Sequence, residues 1–182
     1  MTDLETLRQS FVAFCDGLWW GLRDNVGPLS MHEGYIRGFR QIGLEAADRH
    51  GGKGAENAAK IAAEVLGAIG LTVKQEGRTV VVDSCPLWNR IIERGLEYAF
   101  HIEEICWIPM LSAIAEKTGS KIFCESSLRS IHLEKEKVKY RLEKAKVALE
   151  AGKISKTEFQ KQRDMLEKSI SQLPSHGLYR FE

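Results

Sequence analysis

The stretch Leu71-Thr72-Val73-Lys74-Gln75-Glu76-Gly77-Arg78-Thr79-Val80-Val81-Val82-Asp83-Ser84-Cys85-Pro86 decides the fold class. β-Branched residues crowd its two arms, and Gln75-Glu76-Gly77-Arg78 turns the chain between them, so it reads as a β-hairpin. Everything before it has a helical period. Leu4, Leu7, Phe11, Phe14, Leu18 and Leu22 recur at steps of three and four, an amphipathic helix whose apolar face is widened by Trp19-Trp20. Asn25-Val26-Gly27-Pro28 ends it. Ser30 with Glu33 reads as the capping box of a second helix running to Gly51-Gly52. Gly34 and Gly38 lie one turn apart on that helix. They imply close approach to another backbone, because an idle helical glycine costs about 1 kcal/mol. A third, alanine-rich helix covers 55–68, with Ile61, Val65 and Leu66 as its larger apolar residues.

Downstream, Pro86 opens a long helix through Ile91, Ile92, Leu96, Phe100 and Ile105, broken at Pro109. A short helix continues to Lys117, Gly119 caps it, and residues 120–125 read as a third strand. From Leu128 the composition shifts. Leu128, Ile131, Val138, Leu142, Ala145 and Leu149 follow a heptad pattern with Lys135 at one core position, and Gly152 stops it. Ser155-Lys156-Thr157-Glu158 is a further capping box. Phe159, Leu166, Ile170 and Leu173 form a second stripe, with Arg163 at its remaining core position. Two arms of about 20 residues, each about 30 Å long, make an antiparallel helical hairpin. Residues 177–182 are β-like again, so the hairpin reads as an insertion between the third and fourth strands. The expected fold is α/β in the α+β sense: helices packed on a small, mostly antiparallel sheet, with an inserted antiparallel helical hairpin. The expected division is 1–127 plus 175–182 for the α/β domain and 128–174 for the insertion.

Composition narrows the function. The chain has 182 residues and a formal charge of +1, which argues against a dedicated nucleic-acid binder. No apolar run approaches the roughly 20 residues of a membrane span. Asp3 and Glu5 with no apolar core do not make a signal peptide. Four cysteines without an export signal read as reduced thiols, so a cytoplasmic location is expected.

Cys85, His101, Cys106 and Cys124 fall on successive elements. Thiolate and imidazole together suit zinc, and iron less well, in a tetrahedral site. The plain alternative is buried apolar thiols. On a continuous helix His101 and Cys106 stand about 140° apart, so three of the four would bind metal, with water or a carboxylate completing the shell. Glu97, His101 and Glu104 fall at i, i+4 and i+7, a stripe suited to a harder metal or to proton transfer. Glu104 is also placed to orient His101. Gly51-Gly52-Lys53-Gly54 lacks the order of a phosphate loop and reads as a turn. The helical hairpin carries 11 Lys/Arg against 7 Asp/Glu between Ser130 and Gln172, which reads as a solvated helical pair used for dimerisation or docking.

Tyr35-x-x-Gly38, then a hairpin ending in Val82-Asp83-Ser84-Cys85-Pro86, a helix with Glu104-x-Cys106 and a strand with Cys124-Glu125 make an order that resembles the 4-vinyl reductase domain, also called the hydrocarbon-binding domain. That family is related in fold to small subunits of vesicle-tethering complexes. The resemblance covers roughly 30–126 and 177–182, with Gly177 and Phe181 standing as the displaced final strand. Where the family continues with a cysteine and a glycine, this chain has Ser126-Ser127-Leu128. The resemblance implies an internal apolar pocket, ligand sensing and sometimes metal-binding Cys/His residues. Trp88, Glu97, Phe100, Glu104 and Trp107 would then line the pocket. The expected function is a small apolar-ligand-binding or sensing protein with a Cys/His metal site, homodimeric or docking a protein partner through its hairpin. Two alternatives stand beside it. One is a metal-dependent enzyme in which His101, Glu97 or Glu104 moves protons. The other is a non-catalytic scaffold or assembly factor with structural cysteines.

Overall fold

The 71–86 stretch forms β1 (Thr72–Glu76) and β2 (Thr79–Ser84), paired antiparallel with Val73 opposite Val82 and Glu76 opposite Thr79. The turn is tighter than the sequence suggests. Gln75 and Glu76 stay in the strand, and Gly77, at φ +59°, makes the bend. The computed structural model describes residues 2–182. The chain divides into two compact units, residues 2–128 with 176–182, here the body, and Arg129–Ser175, here the arm.

Three helices lead into the hairpin: α1 (Asp3–Val26), α2 (Pro28–His50) and α3 (Ala55–Ala68). Thr2 and Glu5 build a reciprocal cap on α1. Gly27, at φ +83°, separates α1 from α2, and Pro28 opens α2 in place of the Ser30 box, because proline in a first turn needs no donor. After β2 come α4 (Pro86–Glu93), α5 (Ile108–Thr118) and β3 (Ile122–Ser126). The arm contains most of α6 (Leu128–Glu150) and all of α7 (Lys156–Ser171), with Ser155 and Glu158 closing the expected capping box on α7. β4 (Gly177–Phe181) returns to the body and pairs antiparallel with both β2 and β3, giving the strand order β1-β2-β4-β3. The fold is α+β: helices on a small, wholly antiparallel four-stranded sheet.

The long helix expected from Pro86 to Ile105 does not form. α4 stops at Glu93, and Gly95 takes φ +66°, a turn conformation that L side chains avoid. Residues 94–101 are turns and irregular backbone. The chain then makes a π-turn at Glu103–Trp107, where the Ile108 amide donates to the Glu103 carbonyl five residues back. Pro109 sits in the first turn of α5 and breaks nothing.

The core is centred on the crossing of α2 and α5, with Met31, Tyr35 and Phe39 on one helix and Met110, Leu111 and Ile114 on the other buried in one cluster with the sheet residues Val80, Val82, Tyr179 and Phe181. The close helix approach expected at Gly34 and Gly38 lies elsewhere. A Cβ on Gly38 would meet nothing within 4 Å, and one on Gly34 only Leu22 at 3.7 Å. At Gly43 a Cβ would stand 2.2 Å from the Met110 carbonyl oxygen. Asp16, buried on α1, accepts from Arg90 Nε at 3.0 Å and Arg94 Nη2 at 3.1 Å, tying α1 to α4 and its C-cap.

Candidate functional site: a buried thiol centre and an exposed helix face

Cys85 ends β2 and caps α4, its Sγ accepting from the Trp88 amide at 3.3 Å. Cys106 lies in the π-turn and is fully enclosed. Cys15, outside the set expected from the sequence, joins them from α1. It lies on the face that carries Trp19 inward, and its carbonyl accepts a hydrogen bond from the Tyr35 hydroxyl. Cys15 influences the ionisation of Cys85, and both influence that of Cys106, so the three thiols lie near one another. Burial pushes Cys15 and Cys85 up to about 12 and Cys106 well above the ordinary thiol range. Near neutrality they are protonated, apolar thiols and poor nucleophiles.

The other two members of the expected ligand set face elsewhere. His101 is half-exposed, with Nε2 3.1 Å from the Tyr98 carbonyl and Nδ1 3.8 Å from Glu104. Cys124 is exposed on β3, with Sγ against the Ser126 carbonyl at 3.5 Å; partial burial raises it to about 11. Among the described residues no three His, Cys, Asp or Glu side chains group as a metal would require. Cys85, His101, Cys106 and Cys124 are thus not drawn together as one group among the described residues. The Glu97–His101–Glu104 stripe is also dissolved. It needed a helix through 97–101, where the chain instead makes turns; His101 Nδ1 and Glu104 stand 3.8 Å apart.

Trp88, Phe100 and Trp107 are buried, Glu97 is half-buried and Glu104 is exposed. The aromatics pack ring on ring. Phe100 stacks on Trp19 at 5.7 Å and meets Tyr35 edge-on at 5.5 Å, and Phe39 meets Trp107 edge-on at 5.4 Å. Trp19 Nε1 is buried and finds no acceptor among the described residues. Glu103 is buried in the π-turn close to the thiols. Periodicity carries no signal for either feature.

The outer surface of α1 has a different character. Leu4, Leu7, Phe14 and Leu18 repeat at helical spacing along one stripe, and Leu7 and Phe14 are 66% and 64% exposed. Beside them Gly17 and Gly21 are exposed, and neither would bring a Cβ within 4 Å of any atom.

Comparison with protein-family models, with curated proteins and with solved structures finds no match to this chain. No helix is long and apolar enough to cross a membrane among the described residues.

Proposed function

We propose that the chain is a non-catalytic assembly module whose body pairs with a second copy of itself through α1. The observation that carries this is the stripe Leu4, Leu7, Phe14 and Leu18, left in water along a 24-residue helix. These side chains expose on the order of 400 Å² of apolar surface, a patch size that is often functional on a monomer. Two such faces with their polar margins approach the roughly 1,200 Å² at the low end of stable interfaces. The glycines point to the occupant. Gly17 and Gly21 each cost α1 about 1 kcal/mol, and among the described residues a Cβ on either would meet nothing within 4 Å. In an antiparallel pair of α1 helices with its two-fold axis between residues 17 and 18, Phe14 of each copy falls opposite Gly21 of the other. Leu18 then falls opposite Gly17. Large residues meet small ones on a self-complementary face, as an isologous interface requires.

The test is a disulfide across that axis. In a Cys124→Ser background, Leu18→Cys is expected to oxidise to a covalent dimer of twice the 20.5 kDa chain mass, while Lys60→Cys on the exposed side of α3 stays monomeric. Equal cross-linking at both sites, or none at Leu18→Cys, would sink the proposal.

A second reading, a small apolar ligand held in the body as in the 4-vinyl reductase domain, is favoured by the buried Trp19 Nε1. An unsatisfied indole N–H costs about 1–3 kcal/mol, and a ligand carrying one acceptor oxygen among the rings around Trp19 would recover it. Native and denaturing mass spectra distinguish this. An organic mass present only in the native spectrum supports a bound ligand, and identical masses after purification under mild conditions count against one.

A further inference from the structure

The arm is short of a wall. α7 buries no residue fully, and α6 buries only Ile131, Val138 and Ala145. Between the two helices runs a groove of about 570 Å³. Its apolar surface comes from Ala145, Ala148, Ile154, Leu166 and Met165, the last 57% exposed. Small alanines let a third helix come close, and an unbranched methionine adapts to the side chains it receives. Arg141 and Lys144 stand at the rim, and no carboxylate lines the groove.

Charge selects the partner. Residues 129–175 carry 12 Lys/Arg against 7 Asp/Glu, a net of +5, while the rest of the chain carries 14 against 18, a net of −4. Elsewhere on the arm Lys137, Lys139 and Arg163 pair along their own helices with Glu134, Glu136 and Glu167, while Lys135, Lys146, Lys153, Lys156, Lys161 and Lys168 make no ion pair among the described residues. Arg141 and Lys144 make no ion pair among the described residues, and Lys144 lies 4.7 Å from the centre of the Tyr140 ring. A nucleic acid is held through its phosphates and has no use for an apolar floor. An amphipathic helix uses both features, with its apolar stripe on the floor and its flanking carboxylates at the rim.

We infer that the groove between α6 and α7 receives an acidic amphipathic helix from a partner protein, completing a three-helix bundle with Arg141 and Lys144 as its electrostatic guides.

The experiment is fluorescence anisotropy on the full chain with a labelled synthetic helix bearing leucines at i, i+3, i+4 and i+7 and glutamates on both flanks. Its controls are the same helix with lysine flanks and a short DNA duplex. The glutamate helix is expected to bind with a dissociation constant on the order of 10 µM, and the lysine helix at least about tenfold more weakly. Arg141→Glu with Lys144→Glu is expected to reverse that preference. Both substitutions are exposed, and an unchanged circular dichroism spectrum certifies the fold. No binding of the glutamate helix, equal binding of both helices, or binding that survives the double substitution overturns the inference. Tighter binding of the duplex than of the glutamate helix overturns it in favour of a nucleic-acid surface.

Discussion

Gly43→Ala is expected to be the most destabilising single-methyl change in the body, at about 3–5 kcal/mol. The added Cβ would stand 2.2 Å from the Met110 carbonyl oxygen and 3.0 Å from the Ala113 Cβ. Neither obstacle is the end of a flexible side chain, so relief requires α2 and α5 to move apart. That separation would loosen Tyr35, Phe39, Leu111 and Ile114 together. The gain from replacing a helical glycine, about 1 kcal/mol, is far too small to offset the loss. Gly38→Ala, on the same helix with open space around it, is the control and is expected to stabilise by about 0.5–1 kcal/mol. Urea unfolding of the two variants checks the pair. Equal stabilities would mean that the helices do not approach this closely.

The second large effect is alkaline. The folded-state pKa values of Cys15, Cys85 and Cys106 lie above their ordinary value of 9.0 because burial disfavours the thiolate. The folded chain therefore holds protons that the unfolded chain releases. Their stabilising contribution is complete below about pH 9. It is lost as pH rises from there towards about 12. Each thiol contributes about 1.4 kcal/mol per pH unit in that window, so three lower stability by about 4 kcal/mol between pH 8 and pH 10. Tyr35 and Tyr179 are shifted in the same direction by burial and add to the loss at higher pH. Urea midpoints across this range measure the slope, and Cys106→Ala should flatten it by about a third. A thiol reagent at pH 8 should titrate one of the four cysteines, Cys124, until the chain unfolds. A flat profile, or four reactive thiols in the folded chain, would show that the centre is open to water.

How far the sequence could be read depended on which forces acted locally. The helices before β1 and the β-hairpin were legible because hydrophobic period and Gly/Pro breakers agree, although Pro28 replaces the Ser30 cap and Gln75 and Glu76 stay in the strand. β4 could be placed in the sheet because its β-like pattern follows two helical stripes that belong together. Residues 94–107 were misread for a physical reason. Leu96, Phe100 and Ile105 point inward from turns and a π-turn at nearly the spacing a helix would give, so periodicity runs unbroken across Gly95. That misreading placed His101 and Cys106 on one helix and built a proton-transfer stripe that the turns remove. Cys15 was overlooked for the opposite reason. Its partners arrive from β2 and the π-turn, 70 and 91 residues away in sequence, and no local pattern announces them. The α1 stripe was visible from the start, but periodicity alone could not show which part of a broad apolar face stays in water.

Dimerisation through α1 is tested most directly by sedimentation equilibrium of the unaltered chain beside Phe14→Glu. At tens of micromolar the unaltered chain should sediment as a dimer, at twice 20.5 kDa. Phe14→Glu would place a carboxylate against the partner's Gly21, where nothing neutralises it, and should sediment as a folded monomer. An unaltered chain that sediments at 20.5 kDa across that range, or a Phe14→Glu variant as dimeric as its parent, contradicts the proposal.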